Sequence, residues 1–353
     1  MTLRIDGVSK TLSTFAIKNV SLEVGKGEYF VLLGPTGAGK TLLLELIMGF
    51  HPPDKGKIVL NGQDVTRVPT EKRGLGYVPQ NCPLFPHMSV YENVEFGLRM
   101  QRKGLEERRK SVQIALELVG LRGMEERKPE LLSGGERQKI VLARVLATEP
   151  KVILLDEPLA SIDAEASRSL KQELKHINKD LGVAVVHVTH DQSEAFSLAR
   201  KMAIMREGQI VQEGSPREIL SSPVNEFVAR FLGYENIYHV TPLKYQKETT
   251  EVSANGTVIR LAGRLESQTA TIAIRPEDVV IADKALDIEE WNVLEGNVSE
   301  CMDFGPAVEV TVNAGLIVKI FIHKRSFLES SLFEGKPVKL GFRIDSVKVV
   351  SMG

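Results

Sequence analysis

Up to Leu232, continuous apolar runs alternate along the chain with amphipathic stretches. The segments Glu28–Gly34, Lys151–Glu157 and Val183–His190 are apolar at nearly every position, which is typical of parallel strands buried on both faces. Between them lie stretches with helical spacing, such as Gly104–Gly120, whose last glycine suits a helix C-cap. The alternation predicts an α/β fold in which helices cover both faces of a sheet.

The pattern changes after the segment Ser221–Asn236. Beyond it come short β-type runs separated by glycine and asparagine. One of these, Val308–Ile320, reads as a hairpin, because two apolar strands flank the turn sequence Asn-Ala-Gly. The sequence therefore predicts two domains, residues 1–235 and residues 236–353, of which the second is small and all-β.

Length and composition agree with two soluble domains. A chain of 353 residues with 42% hydrophobic and 26% charged residues is typical of a globular protein. The net charge of −1 gives no reason to expect a nucleic acid partner. Cys82 and Cys301 lie far apart, which fits a reducing compartment and no metal site. The apolar run Thr41–Phe50 is interrupted by Glu45, and the N-terminus has no signal-peptide pattern, so membrane association is expected only through a partner.

A glycine-rich loop follows the first apolar run. Residues Gly34–Thr41 fit the pattern G-x-x-x-x-G-K-[ST], with a strand before the loop and a helix after it. Its glycines allow successive amides to point at phosphate oxygens, while Lys40 would bridge the β- and γ-phosphates and the Thr41 hydroxyl would bind Mg²⁺. The predicted nucleotide-binding residues here are Gly34, Pro35, Thr36, Gly37, Ala38, Gly39, Lys40, Thr41 and Leu42.

Two further apolar runs end in polar residues that can act on a phosphate. Asp156 would hold Mg²⁺, and Glu157 beside it could activate the attacking water as a general base. By itself such an acidic pair more often begins a solvated loop, but downstream of a phosphate-binding loop in an α/β pattern the metal-binding role is favoured. His190 closes another run, where it could donate to the γ-phosphate or simply cap a helix.

The segment Leu131–Gln138 contains a helix start with an unusual composition. Ser133 and Glu136 have the spacing of a capping box. Gly134 and Gly135 follow at the first helical positions, where each glycine destabilises a helix by about 1 kcal/mol. Bare amides at the positive end of a helix are suited to binding an anion.

Together these motifs resemble the ATP-binding subunits of ABC transporters. The resemblance implies an α/β P-loop NTPase cassette with a mixed sheet, a helical subdomain at about 88–145, and a C-terminal all-β domain of the OB-like (TOBE) type. The motifs occur in the family's order: Gly34–Thr41, Tyr77–Gln80, Leu132–Glu136, Val152–Glu157, Ala160–Asp163, Thr189–Asp191 and, in the C-terminal domain, Ile274–Val279.

The resemblance also implies residue roles and cofactors, ATP and Mg²⁺. Two copies would face each other head to tail, so that the signature of one copy contacts ATP bound by the other. The implied catalytic residues are Glu157, His190 and Gln80. The implied metal residues are Thr41, Gln80 and Asp156. The residues that would contact the nucleotide from the signature (Leu132–Glu136) and from the loop Ala160–Asp163 are Ser133, Gly134, Gly135, Glu136 and Asp163.

Partners and location follow from the same resemblance. The protein would be a homodimer at the cytoplasmic face of the membrane, bound to two transmembrane permease subunits and, through them, to an extracytoplasmic substrate-binding protein. The loop Cys82–Leu98 is similar to the segment that docks a membrane-subunit helix. In one respect the chain departs from the family: Leu12 stands where an aromatic residue usually stacks on adenine, and Phe15 is the alternative.

The cargo is suggested by two stretches. Leu42–Thr66 and Ile322–Leu340 resemble molybdate/tungstate importer subunits, with sulfate as the nearest alternative. Sugar, polyamine or iron importers remain open, and the C-terminal domain would then be only a dimerisation scaffold. Asp345 would repel an oxyanion if it faced the site. The candidate oxyanion-binding residues are Lys324, Arg325, Ser326, Arg343 and Ser346.

Overall fold

The computed structural model describes residues 1–81, 83–160, 162–282, 287 and 289–352, so Cys82 and Ser161 lie outside the described residues. Contacts divide the chain into two units, Met1–Pro216 and Arg217–Gly353. The strands of the first unit are β1 (Leu3–Leu12), β2 (Phe15–Val24), β3 (Tyr29–Leu33), β4 (Lys55–Leu60), β5 (Gln63–Asp64), β6 (Leu75–Val78), β7 (Val152–Asp156), β8 (Ala184–Thr189), β9 (Lys201–Arg206) and β10 (Gln209–Gly214). Its helices are α1 (Lys40–Met48), α2 (Val90–Met100), α3 (Leu105–Leu118), α4 (Gly134–Leu146), α5 (Ala164–Leu181) and α6 (Gln192–Leu198).

The central sheet of the first unit has the strand order β10-β9-β3-β8-β7-β6. Strands β3, β7 and β8 are buried along their whole length, as their uninterrupted apolar sequences predict. They run parallel, with Leu33 opposite Thr189 and Asp156 opposite Val188. Because their carboxyl ends meet at one edge, the loops that follow the three strands are brought together there.

A second sheet and the first helix complete the core of this unit. Strands β2-β1-β4-β5 form an antiparallel sheet. Its buried residues, such as Ile5 and Ile58, share one hydrophobic core with the central sheet and with Leu44 and Ile47 of α1. Helix α1 is thereby held between the two sheets, which fixes the loop that precedes it.

Helices α2, α3 and α4 pack on one another and coincide with the predicted helical subdomain. Helix α2 begins with a complete capping box formed by Ser89 and Glu92. Buried positions such as Val94, Leu116 and Ile140 form the interior of this group. Among the helices described, none is long and apolar enough to cross a membrane.

The second unit is almost entirely β-structure, as predicted. Its described strands form two five-stranded sheets, ordered β13-β12-β11-β14-β20 and β15-β19-β16-β17-β18, over a common core. The predicted hairpin is confirmed as β17 paired with β18. The elements are α7 (Pro216–Ser221), α8 (Glu226–Phe231), β11 (Asn236–Gln246), β12 (Thr249–Ala254), β13 (Thr257–Ala262), β14 (Ala270–Ile274), β15 (Val279–Ile281), β16 (Trp291–Asp303), β17 (Ala307–Asn313), β18 (Ile317–His323), α9 (Lys324–Ser330), β19 (Pro337–Arg343) and β20 (Lys348–Met352). The contacts between residues place α8 in this unit, because the division falls between Pro216 and Arg217. The boundary predicted from the sequence, after residue 235, lies later in the chain, at the start of β11.

Candidate nucleotide-binding and catalytic site

The glycine-rich loop connects β3 to α1 and curls tightly over the start of the helix. Gly39 immediately precedes α1 and has φ of 100°, a left-handed conformation that favours glycine. A Cβ built on Gly39 would lie only 2.7 Å from the ring of Phe15. The loop therefore needs glycine here for two reasons, and Phe15 of β2 lies directly against it.

Lys40 is buried without a counter-ion of its own. Its side chain donates to the carbonyl oxygens of Gly34, at 2.8 Å, and Pro35, at 3.0 Å. In the part of the chain described, it forms no ion pair with a carboxylate. Burial lowers the pKa of Lys40, and the charges of Glu157 and Asp156 partly oppose this shift. A buried ammonium beside bare loop amides is well suited to receive a phosphate.

Two of the three predicted metal residues, Thr41 and Asp156, meet at the end of β7, whereas Gln80 contacts Glu157. Thr41 Oγ1 donates to Asp156 Oδ1 at 3.1 Å, and the Tyr77 hydroxyl donates to Asp156 Oδ2 at 3.3 Å. Burial raises the pKa of Asp156, while the hydrogen bonds from Thr41 and Tyr77 act in the opposite direction. A hydroxyl and a carboxylate are the hard oxygen ligands that Mg²⁺ prefers, so the residues fit this ion. The described residues hold no group of three or more His, Cys, Asp or Glu arranged for a metal, so phosphate and water oxygens would have to supply its other ligands.

The three predicted catalytic residues are brought together around Glu157. Its carboxylate lies 3.2 Å from the Gln80 amide nitrogen and 3.0 Å from His190 Nδ1. The backbone of Glu157 has φ of 45°, which is strained for a residue with a side chain. The Glu157 amide donates to the Val188 carbonyl at 2.9 Å, so the strained turn is tied to β8. The structure does not support a helix-capping role for His190, because Asp191 caps α6.

The signature residues lie on α4, and the predicted capping box is confirmed. Ser133 Oγ accepts from the Glu136 amide at 3.2 Å, and Glu136 Oε2 accepts from the Ser133 amide at 2.7 Å. Ser133 and Gly134 are exposed, whereas Gly135 is buried. Asp163 similarly caps α5, accepting from the amides of the next helical turn. Each of these hydrogen bonds joins residues of the same helix start. They therefore do not connect the signature residues to the glycine-rich loop of the same chain.

The sequence-based interpretation overlooked a buried polar chain next to His190. His187 is fully buried in β8, with Nδ1 3.0 Å from the Tyr29 hydroxyl and Nε2 3.3 Å from Glu194 Oε2. Burial raises the pKa of Tyr29, so its hydroxyl keeps its proton. Burial also raises the pKa of Glu194, but the contacts with His187 and Thr189 outweigh it and lower the pKa overall. The only sequence signal was one histidine inside an apolar run.

The predicted docking loop is anchored to the helical group. Asn93 of α2 accepts from the Phe85 amide at 2.9 Å and donates to its carbonyl at 3.1 Å. The Phe85 ring packs on Phe96 with centroids 4.7 Å apart, and the Arg144 guanidinium lies 5.4 Å from its centre. The loop from residue 83 onward is therefore anchored to α2 and α4 through Phe85. Cys82, its first predicted residue, lies outside the described part.

The five candidate oxyanion residues do not come together within one chain. Lys324 pairs with Asp303 at the last residue of β16, and Arg325 pairs with Glu329 along α9, which also carries Ser326. The other two residues lie near Trp291, at the opposite end of the same strand. There, Arg343 pairs with Glu290 and Asp345, and the Ser346 hydroxyl donates to the Arg343 carbonyl.

Comparison with known proteins identifies the family. A family model described as ABC transporter matches residues 17–160. Over 98% of its length the chain is 40% identical to the molybdate/tungstate import ATP-binding protein WtpC of Pyrococcus abyssi, of which it covers 99%. The chain belongs to the ABC transporter family. This cassette protein is also 43% identical, over 87% of its length, to WtpC of Thermococcus kodakarensis, covering 92% of that protein. It is 39% identical, over 90% of its length, to the spermidine/putrescine import ATP-binding protein PotA of Vibrio cholerae, covering 86% of it.

Solved ABC structures match the cassette part of the chain. One is cbiO1 of Clostridium perfringens, part of the ABC transporter complex cbiONQ, with 29% identity and a TM-score of 0.58 over 62% of this chain and 90% of that one. Another is the ATP-binding cassette MJ0796, a dimer in a post-hydrolysis state bound to ADP and Pi, with 30% identity and a TM-score of 0.55 over 61% of this chain and 99% of that one. The predicted family and the predicted cassette fold are thereby confirmed.

Proposed function

We propose that this ABC protein is the ATP-hydrolysing subunit of an importer for molybdate or tungstate. The observation that carries the hydrolytic part is the Glu157 carboxylate held between Gln80 and His190, at the edge where the buried Lys40 forms no ion pair with a described carboxylate. Two relatives that match over 98% of this chain support the cargo part, because both are named molybdate/tungstate import ATP-binding proteins.

Each residue of the site has a task in this proposal. Lys40 and the loop amides hold the β- and γ-phosphates, and Thr41, Asp156 and Gln80 hold Mg²⁺. The ion would neutralise charge on the phosphate oxygens. Glu157 accepts a proton from the attacking water. His190 contacts Glu157 through Nδ1, so Nε2 is the ring nitrogen that would contact the γ-phosphate.

The nucleotide is proposed to be enclosed between two copies. Ser133 with the amides of Gly134 and Gly135 would bind the γ-phosphate held by the partner copy, at the positive end of α4. The dimeric, ADP- and Pi-bound neighbour is consistent with such an arrangement. Closing and reopening of the dimer would drive two permease subunits at the cytoplasmic face, served by an external binding protein. The loop from residue 83, anchored by Asn93, is the proposed permease contact.

Adenine is proposed to stack on Phe15 rather than on Leu12. The two residues face each other at the tip of the β1–β2 hairpin. Phe15 lies against the glycine-rich loop at Gly39, so its ring is next to the phosphate cradle. An aromatic face beside a nucleotide phosphate site is suited to base stacking.

A polyamine importer is the second candidate, because PotA proteins are 39% to 41% identical to this chain. The two candidates differ in uptake by cells. Disrupting the gene in its own organism should abolish molybdate and tungstate uptake and leave spermidine uptake unchanged. The reverse result would favour the polyamine candidate and reject the proposed cargo.

The three oxyanion candidates on α9, Lys324, Arg325 and Ser326, are proposed to form a regulatory site in the second unit, without Arg343 and Ser346. Binding there would require Lys324 to exchange Asp303, and Arg325 to exchange Glu329, for the oxyanion, since each is paired with that carboxylate. The test is calorimetric titration with molybdate, tungstate and sulfate. Ser326→Ala should abolish binding, whereas Ser330→Ala on the same helix should not. If none of the anions binds, the second unit is a scaffold and the site assignment is wrong.

A further inference from the structure

Helices α4 and α5 begin side by side, and their first turns approach as closely as side chains allow. Gly135, in the first turn of α4, is buried. A Cβ built on Gly135 would lie 2.8 Å from the Cβ of Ala166, in the first turn of α5. Real Cβ atoms do not approach so closely, so the packing of these two helices requires glycine at this position. This packing requirement is independent of the proposed role of the Gly135 amide in binding an anion.

A second contact joins the same helices further along. Lys139 of α4 donates to Glu173 Oε1 of α5 at 2.5 Å, and both side chains are largely buried, with 18% and 21% exposure. The Ser169 hydroxyl donates to the same oxygen at 3.1 Å. From the Gly135–Ala166 contact to the Lys139–Glu173 contact, the residue numbers increase on both helices. Helices α4 and α5 therefore run roughly parallel where they touch.

Each of the two helix starts combines the partial positive charge of its amides with a capping carboxylate, Glu136 on α4 and Asp163 on α5. Each start carries about half a positive charge from its unpaired amides. In this protein the exposed starts are those capped by Ser133, at the signature, and by Asp163, after the catalytic strand. The contact of Gly135 with Ala166 lies where the two starts are side by side, and the ion pair of Lys139 with Glu173 joins the same two helices further along.

We propose that Gly135–Ala166 and Lys139–Glu173 join the signature and the Asp163 loop of one chain into a single body. Ser133 and Asp163 then reach the partner's nucleotide together, in a fixed relation. Lys139 and Glu173 are positioning residues, because they act through the helix starts and not on ATP. The inference rests on the proposed head-to-tail dimer.

The experiment uses the Glu157→Gln protein, in which ATP should stay trapped in the dimer. Lys139→Glu and Glu173→Lys, added singly, should each release trapped ATP about tenfold faster or more. The combined exchange should return the release rate to within about threefold of the parent. Initial ATP affinity of the monomer should not change. Lys175→Glu, an exposed charge reversal on α5, is the matched control and should leave the release rate unchanged.

A second pair of substitutions tests the same inference without changing any charge. Gly135→Ala retains the amide but clashes with Ala166, so it should also speed release, and adding Ala166→Gly should restore trapping. If neither combined variant restores trapping while all variants fold, the inference is wrong. If release is unchanged in every single variant, it is equally wrong.

Hydrogen exchange in the ATP-free protein separates this inference from the proposed function. In the single variants, the amide hydrogens in the first turn of α4 should exchange faster than in the parent. In the combined variants, their exchange rate should equal that of the parent. If the parent fails to trap ATP yet this pattern is seen, the head-to-tail dimer is rejected and the joining of the helices stands. Unchanged exchange in the single variants rejects the joining.

Discussion

Replacing Lys40 by methionine should abolish tight nucleotide binding and leave the fold intact. In the proposed complex, the ammonium donates to both the β- and γ-phosphates. One hydrogen bond to a charged group contributes about 1.5–3 kcal/mol. Two such bonds amount to about 3–6 kcal/mol, so the Kd for ATP should rise by roughly 10²- to 10⁴-fold.

The stability of the ATP-free protein should change little, because two effects oppose each other. Burial lowers the pKa of Lys40, so the charged side chain is held where it is disfavoured, and methionine removes that penalty. The Gly34 carbonyl then loses its donor, which costs about 1–3 kcal/mol if it stays buried. The Pro35 carbonyl keeps the Ala38 amide at 3.2 Å. We therefore expect a net change within about 1 kcal/mol.

Nucleotide titration and thermal unfolding of the same samples measure both quantities. Lys26→Met, at an exposed position just before β3, is the matched control and should bind ATP as the wild type does. A folded Lys40→Met protein that binds ATP within about tenfold of wild type would refute the assigned role of Lys40. Loss of binding together with unfolding would refute the stability argument instead.

Three further changes test separate parts of the site. His187→Phe should lower the rate of ATP hydrolysis by up to about 10²-fold at unchanged ATP affinity, because His187 supports the segment that carries His190; a lower affinity with an unchanged rate would contradict this. The raised pKa of Asp156 means that its ionised form destabilises the ATP-free fold as pH rises through that pKa. The stability of Asp156→Asn relative to wild type should therefore increase from about pH 4 to about pH 7 in thermal unfolding, and a decrease would contradict the burial argument. Phe15→Ala should weaken ATP binding by about 1–3 kcal/mol in a titration, whereas Leu12→Ala should not; the opposite result would move the stacking role to Leu12.

Local patterns in the sequence were enough to predict much of the fold. The strand before Gly34 and the helix after Lys40 are encoded in adjacent residues, so the loop between them could be recognised. The capping box of Ser133 and Glu136 depends only on a spacing of three residues, and it formed as predicted. The apolar runs also placed Asp156 and His190 at the ends of buried strands, whereas the pairing of β7 with β8, which brings these ends to one edge, was not predicted.

Contacts between distant segments could not be predicted in this way. The hydrogen bond from Tyr29 to His187 joins residues 158 positions apart. Gly135 was interpreted only as an anion-binding position, because its contact with Ala166 depends on how two helices pack. Likewise, the spacing of residues along the sequence could not reveal that Lys324 forms an ion pair with Asp303. Such pairings depend on the three-dimensional arrangement and leave no local pattern in the sequence.

Trapping of ATP by Glu157→Gln tests the central claim most directly. The variant keeps the side-chain shape and the neighbours Gln80 and His190 but cannot accept a proton from water. After incubation with ATP and gel filtration, we predict a particle of twice the 39.0 kDa chain mass that retains unhydrolysed ATP, one molecule per chain. A protein that elutes without ATP, or that hydrolyses it at the wild-type rate, would contradict the proposed mechanism.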